Sequence, residues 1–216
     1  MLVETELGPI LWLSLKVSGL AVILSSIIGV PIGTWLGLSR FRGKAAVTSL
    51  IYTGMAMPPV VVGLLVYMLL SRSGPLGSLG WLFTPKAMVL AQTILDVPFV
   101  VGITMAAVAA VPAEQQLQLK ALGASPWQAR WAILREARPG AALALATALG
   151  RSVSEVGAVL MVGGNIEGQT RVLTTAIVLE TSKGRFAFAL LLGAVLFTIA
   201  LVVNLFIVRF QSRPLI

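Results

Sequence analysis

The sequence contains no cysteine and no histidine. The missing cysteines exclude disulfides and thiol chemistry, and the two absences together exclude zinc sites of the Cys/His type. Without histidine, the chain also lacks the side chain that most often relays protons near neutral pH. No Ser/His/Asp or metal-binding constellation can be assembled, which argues against an enzyme acting inside the membrane.

Charged residues are also scarce. Only 11% of the residues are Asp, Glu, Lys or Arg, whereas 57% are hydrophobic. A soluble domain carries about 25% charged residues, so the deficit predicts that lipid is the surrounding solvent. The net charge of +8 does not indicate nucleic-acid binding, because the basic residues occur in short clusters between apolar runs.

Five apolar stretches are long enough to cross a bilayer, which takes about 20 helical residues. They cover residues 10–38, 46–70, 87–111, 139–163 and 186–208. We therefore predict an all-α, polytopic integral membrane protein with five transmembrane helices in one domain over residues 1–216. Glu4 and Glu6 precede the first stretch, whereas a signal peptide begins with positive charge, so this stretch is predicted to be a true span.

The lysines and arginines of the connections predict the orientation. Nine lie on one side, which is expected to be cytosolic: Arg40, Arg42, Lys44, Lys120, Arg130, Arg135, Arg138, Arg209 and Arg213. Five lie on the other side: Arg72, Lys86, Arg171, Lys183 and Arg185. With five spans, the N-terminus is then outside and the C-terminus is cytosolic.

Two loops are predicted on the outer side, at residues 71–86 and 164–185. Within the second loop, residues 171–182 are too few to span a bilayer, so they are predicted to form an interfacial or a re-entrant helix. The second span is interrupted near its centre by Met55, Met57, Pro58 and Pro59. Such a break either lines a pathway or is a packed kink, and Pro31 similarly predicts a kinked or tilted first span.

The cytosolic loop over residues 112–138 is predicted to form two short helices. Pro112 and Glu114 suit the start of the first helix, and Gly123 suits its end. Ser125 is then an N-cap and Pro126 the first residue of a second helix, which we expect to run to about residue 137.

The second helix places Trp127, Trp131 and Leu134 on one face, because they are separated by four and three residues. Arginines add positive charge to the same helix. Such a helix either lies on the membrane surface, with tryptophans at the headgroups, or docks a partner protein. The spacing alone favours neither interpretation.

The loop resembles the cytosolic coupling loop of type I ABC importer permeases. The resemblance rests on a helix followed by Leu122-Gly123-Ala124-Ser125, and then by Trp127 and Ile133. Leu117-Gln118-Leu119 stands where that family has Glu-Ala-Ala, and Arg135-Glu136 where it has Leu-Pro. The segments GRSVSEVGAV (150–159), VGGNI (162–166) and TRVLTTAIVLET (170–181) resemble permeases of tungstate uptake, in the molybdate/sulfate-like branch.

This resemblance implies a subunit of an ATP-driven oxyanion importer of the bacterial inner membrane. It implies a homodimer of this chain, two ATP-hydrolysing subunits and an external substrate-binding protein. ATP and magnesium would be used by the partner subunit, and this chain would bind no cofactor. The residues that the resemblance places against the ATPase are Gly123, Ala124, Ser125, Pro126, Trp127, Arg130, Trp131, Ile133 and Leu134.

Four charged residues fall inside the predicted spans, where charge is costly and usually functional or paired: Lys16, Asp96, Arg151 and Glu155. Lys16 is close enough to the outer end to extend to the interface. Arg151 either contacts the passing anion or forms a structural pair with Glu155 or Asp96. The spacing favours the pair, because two carboxylates beside one arginine leave net negative charge on an anion pathway.

The fourth span ends in Gly163, Gly164 and Asn165, which either shape the outer end of the pathway or simply stop the helix. No G-x-x-x-x-G-K-[ST] phosphate-binding loop occurs, so the energy for transport must come from a partner or from an ion gradient. Three alternatives to the tungstate importer are a permease for molybdate, sulfate or another solute, an ion-coupled secondary transporter and a membrane assembly factor. In a secondary transporter, Asp96 and Glu155 would be the candidate ion-coupling carboxylates.

Overall fold

The computed structural model describes residues 2–211, and every regular element in that range is a helix. Arg213, counted above among the cytosolic basic residues, lies outside the described residues. The helices are α1 (Leu2–Leu38), α2 (Lys44–Met55), α3 (Pro59–Leu70), α4 (Pro85–Ala109), α5 (Ala113–Ala121), α6 (Pro126–Glu136), α7 (Arg138–Ser154), α8 (Gly157–Gly163), α9 (Leu173–Ser182) and α10 (Phe186–Gln211). A short 3-10 helix, Gly77–Leu79, interrupts the connection from α3 to α4.

Three helices, α1, α4 and α10, are each long and apolar enough to cross a membrane, and two bent helix pairs bring the possible number of spans to five. The predicted all-helical membrane architecture is therefore confirmed. α1 begins at Leu2 and not near residue 10, because helical structure extends beyond the apolar stretch. It continues as one helix through Pro9 and Pro31.

The two bent pairs differ in how well the sequence anticipated them. α2 and α3 meet at an angle of 93°, at the break predicted from Pro58 and Pro59. α7 and α8 meet at 58°, where we expected one continuous helix over residues 139–163. That expectation is wrong, because Glu155 has an extended backbone (φ −70°, ψ 130°) and ends α7.

A row of glycines brings α1 against α4. A Cβ added to Gly29 would lie 2.7 Å from Val100, one on Gly33 would lie 2.9 Å from Thr104, and one on Gly37 would lie 2.9 Å from Val108. Each partner is 71 residues further along the chain, so the two helices run parallel. Small residues at four-residue spacing allow such close helix packing in membranes.

The remaining spans pack around this pair in alternating directions. α7 runs antiparallel to α4, because Gly140 contacts Ala107 while Ser152 is bonded to Asp96 and Gln92. α3 and α8 also approach closely, since a Cβ on Gly63 would lie 2.7 Å from the Cα of Ala158. The first turns of α10 share a cluster with the first turns of α1 through Leu192 and Ile10, which makes these two helices parallel.

Candidate functional site

Asp96 lies where α4 meets the last turn of α7. Its carboxylate Oδ2 accepts a hydrogen bond of 2.6 Å from the Oγ of Ser152, and the side chain is only 1% exposed. The Nε2 of Gln92 donates to the carbonyl of the same Ser152 at 2.8 Å. Two polar side chains of α4 thus hold the last turn of α7 in place, which is the usual way that buried polar groups are satisfied in a membrane.

Arg151 occupies the same turn of α7 but faces an aromatic ring. Its guanidinium carbon lies 4.6 Å from the centre of the Phe99 ring on α4, which is a cation–π distance. Its Nε is buried and has no hydrogen-bond partner among the described residues. Placement in the last turn of a helix is favourable for a cation, because the carbonyl end of the helix is negative.

Glu155 sits at the break between α7 and α8. Its Oε1 accepts a hydrogen bond of 3.1 Å from the backbone N–H of Ala158, and its carbonyl accepts one of 2.8 Å from the Oγ1 of Thr174. The residue therefore holds the start of α8 and ties the break to α9. The segment 171–182, predicted as an interfacial or re-entrant helix on the outer side, contains α9, with Leu173, Ala176 and Glu180 buried against the protein.

The structure corrects the predicted relation between Arg151 and the carboxylates. Arg151 and Glu155 were expected on one helix, four residues apart, but α7 ends at Glu155. No ion pair within 4.0 Å joins Arg151 to Asp96 or Glu155 in residues 2–211. The hydrogen bonds of both carboxylates come from other groups, so the pair interpretation loses its geometric basis.

A small polar cavity lies among these groups. It has a volume of about 10 Å³ and is lined by residues of α1, α4, α7 and α9, among them Ser14, Gln92, Ser152, Glu155 and Thr174. A water molecule requires about 10–15 Å³ measured in this way. The cavity is therefore too small for an anion of the size of tungstate.

At the C-terminal end of α8, Gly164 has φ +71° and ends the helix. A Cβ added there would lie 2.9 Å from the Phe83 ring, and the N–H of Phe83 donates to the Val162 carbonyl at 2.9 Å. Thr170 donates to the Gly163 carbonyl at 2.6 Å. The helix-stop interpretation of Gly163, Gly164 and Asn165 is confirmed for Gly164, and a role in the pathway stays a prediction.

The loop over residues 112–138, predicted to be cytosolic, folds into two helices as the sequence predicted. Gly123 has φ +75° and follows the end of α5, which lies over residues 113–121. Ser125 caps α6, since its Oγ accepts from the N–H of Gln128 while the Gln128 side chain accepts from the N–H of Ser125. Pro126 is the first helical residue.

The aromatic face of α6 is open. Trp127 is 73% exposed and Trp131 is 62% exposed, and both line a groove of about 390 Å³ against Val30 and Pro31 of α1. Ile133 differs, because it is only 4% exposed and packs on Val108 at the end of α4. Within the described chain it anchors α6, and its place on a docking surface stays a prediction.

Sequence reasoning missed the glycine row at residues 29, 33 and 37 and the bonds of Gln92, Ser152 and Thr174. The glycine row was recognisable, because glycines at four-residue spacing in an apolar helix indicate close helix packing. The three polar side chains gave no comparable signal, since serine, threonine and glutamine occur in many spans without a partner.

The profile of the family described as "Binding-protein-dependent transport system inner membrane component" matches residues 29–215. The chain belongs to this family. It is thus an inner-membrane transport component, as the resemblance implied, and membership argues against the ion-coupled and assembly-factor alternatives.

Two curated members of the family are similar over nearly their whole length. The "Probable anion ABC transporter permease protein" of Haloferax volcanii is 47% identical over 214 residues, which cover 97% of this chain and 92% of that protein. The "Tungstate uptake system permease protein TupB" of Peptoclostridium acidaminophilum is 39% identical over 210 residues, with the same coverage of 97% and 92%.

A solved transporter structure shares the fold. An inward-facing structure of the MetNI methionine ABC transporter superposes with a TM-score of 0.78 and covers 96% of this chain and 95% of that chain. The sequence identity is 18%, so this likeness concerns the fold alone.

Proposed function

We propose that this permease carries an oxyanion through an ATP-driven importer, and that the anion is tungstate. The 39% identity with a tungstate uptake permease over 210 residues carries this proposal. The 47% identity with a protein named as an anion permease supports the broader class. Molybdate and sulfate are the runner-up substrates.

The topology consists of five crossings in a single domain over residues 1–216. The parallel course of α1 and α4 supports this count, because the bent pair α2–α3 has to return the chain across the membrane between them. α7 runs antiparallel to α4, and α10 runs parallel to α1, so the direction of crossing continues to alternate from span to span. The larger number of basic residues on one side then places the N-terminus outside and the C-terminus in the cytosol.

Two copies of the chain together form the pathway. The cavity beside Glu155 holds about 10 Å³, which supports a route between subunits and not through one subunit. Arg151 is our candidate anion contact, because its Nε has no partner in the described chain and no carboxylate neutralises it within 4.0 Å. Asp96, Glu155 and the Gly163–Asn165 segment position the surrounding helices.

The partners are two ATP-hydrolysing subunits and an external binding protein. The ATPase docks on α6 through exposed Trp127, Trp131 and the capped start of the helix, while the outer loops meet the binding protein. This chain does not hydrolyse ATP, since its sequence has no phosphate-binding loop, and ATP and magnesium are held by the partner.

Reconstituted transport tests the proposal. The chain is co-expressed with its ATPase subunit, placed in vesicles with the cognate binding protein, and ATP hydrolysis is measured with tungstate, molybdate or sulfate at equal concentrations. We expect tungstate to stimulate hydrolysis and uptake most strongly, and an ATPase subunit without its phosphate-loop lysine to abolish both. Stronger stimulation by molybdate or sulfate would reassign the substrate, and uptake driven by an ion gradient without ATP would overturn the importer mechanism.

A further inference from the structure

An open groove of about 820 Å³ runs along α1 and α4, on the side away from α7. Its α1 wall is formed by Lys16, Leu20, Leu24 and Ile28, which follow one another every four residues and so share one face of the helix. Its α4 wall includes Lys86 and Leu90. The groove is therefore apolar over most of its length and positively charged at one end.

The dimensions of the groove match one leaflet of a bilayer. From Lys16 to Ile28 the helix rises about 18 Å, whereas half of the hydrocarbon core is about 15 Å thick. Leu20, Leu24 and Ile28 are each more than 40% exposed, so the walls are not closed over by the described chain. The groove thus has room for a slender apolar group that extends from the headgroup level toward the middle of the membrane.

The charged end has the features of a headgroup site. Lys16 and Lys86 form no ion pair within 4.0 Å with any described carboxylate. The Nζ of Lys86 lies 5.7 Å from the centre of the Trp81 ring, which itself lines the groove. Tryptophan is enriched at the level of lipid headgroups, and basic pockets between spans attract anionic ones.

We propose that this groove binds one anionic phospholipid, with its phosphate on Lys16 and Lys86 and an acyl chain along Leu20, Leu24 and Ile28. A second copy of the chain fits less well. A two-fold interface across this face would bring the same two lysines from each copy together, and like charges repel. Under the orientation proposed above, the lipid belongs to the outer leaflet.

Native mass spectrometry of the purified transporter in detergent tests the proposal. The protein is titrated with phosphatidylglycerol or with phosphatidylcholine carrying the same acyl chains. We expect one phosphatidylglycerol to be retained preferentially, and the double variant Lys16→Gln/Lys86→Gln to lower its affinity about thirtyfold, while phosphatidylcholine binding stays unchanged. Arg72→Gln is the matched control, because it removes an exposed positive charge from the same end of the molecule and should change neither lipid.

A second variant keeps the test independent of the lysines. Leu24→Trp fills the apolar part of the groove and should reduce the retention of both lipids. A thermal melt shows whether each variant is folded. If the double lysine variant is not folded, the two single lysine variants are measured in its place. Equal retention of the two lipids by the unaltered protein overturns the proposal. The proposal is also overturned if the Lys16→Gln/Lys86→Gln variant retains phosphatidylglycerol as well as the unaltered protein does. If the double variant instead changes the number of chains in the assembly, the groove is assigned to a second copy of the chain and the proposal is again overturned. Displacement of the lipid by sodium tungstate, but not by sodium chloride of equal ionic strength, would assign the lysines to a free anion and also overturn it.

Discussion

Arg151 and Phe99 face each other across the contact between α7 and α4, with 4.6 Å between the guanidinium carbon and the ring centre. This relation replaces the expected ion pair with Glu155. It holds the charge of Arg151 in place without neutralising it, since an aromatic ring attracts a cation and remains uncharged itself. This geometry is the basis for proposing Arg151 as the anion contact.

We expect Arg151→Gln to lower tungstate uptake by the reconstituted importer at least tenfold. Phe99→Leu should lower it less, since a cation–π contact contributes about 0.5–2 kcal/mol to the position of the side chain. Uptake per folded transporter is the measurement. Uptake by the double variant Arg151→Ala/Glu155→Ala should stay as low as uptake by Arg151→Ala alone, because Glu155 accepts a hydrogen bond from Ala158 and not from Arg151. Recovered uptake in the double variant would show that the two residues form a structural pair.

Gly33→Ala should destabilise the protein. The new Cβ would lie 2.7 Å from the backbone carbonyl oxygen of Val101, so α1 and α4 would have to separate, at a cost of about 1–3 kcal/mol. Gly19→Ala is the matched control in the same helix, because a Cβ there would meet no atom of the described chain within 4 Å. Thermal melts in detergent measure both, and equal melting temperatures for the two variants would contradict close packing at Gly33.

Trp127→Ala combined with Trp131→Ala should abolish co-purification of the ATPase subunit while leaving the fold intact. Both side chains are largely exposed, so their removal leaves no cavity in the described chain. Trp12→Ala is the control, because Trp12 is 68% exposed in a different part of the molecule and should retain the ATPase. If the double variant still binds the ATPase as well as the unaltered protein does, the docking assignment of α6 is wrong, and the membrane-surface interpretation of its aromatic face is favoured.

We expect the ion pairs of Glu180 to stabilise the folded protein in a pH-dependent way. Lys183 and Arg185 lie 2.9 Å and 3.4 Å from its carboxylate oxygens, and the hydrogen bond from Lys183 is the main reason why the pKa of Glu180 is lowered. Because the folded state holds the proton less tightly than the unfolded state, this stabilisation is present above the unfolded pKa, about 4.3 for glutamate, and is lost as the pH falls through the lower folded pKa.

Glu180→Gln should therefore lower the melting temperature at pH 7, and the difference from the unaltered protein should shrink as the pH is lowered below about 4. Glu167→Gln provides the comparison. Its partner Arg171 lies 3.2 Å away, but Glu167 is 71% exposed, and exposed pairs contribute about 0–1 kcal/mol. A Glu180→Gln deficit that does not shrink between pH 7 and about pH 3, below the unfolded pKa of glutamate, would contradict a stabilising charge at this residue.

The parts of the structure that depend on nearby residues were predictable from the sequence. Ser125 and Gln128 form a capping box three residues apart, and Gly123 follows the end of α5, so the loop over residues 112–138 followed its local signals. The break at Pro58 and Pro59 was equally local, because proline interrupts the helical hydrogen bonds.

The parts that depend on distant contacts were not predictable in the same way. The break at Glu155 contains no proline and is held by Thr174, which lies 19 residues further along. The bond from Ser152 to Asp96 joins residues 56 apart, and the burial of Ile133 depends on Val108. The spacing of residues within one helix does not predict such contacts, because they depend on which helices are neighbours in the fold.

The packing of α3 on α8 links the two bent spans mechanically. Gly63 lies against Ala158 on one side of this contact, and Gly157 lies against Val60 on the other, both too close for an added Cβ. If α3 rotates about the bend at Pro58, α8 therefore has to move with it, and α8 can do so by rotating about the bend at Glu155. α1 and α4 are each one continuous helix, and they pack closely along three glycines, so neither offers a comparable bend. The two bends are therefore coupled into a single hinge.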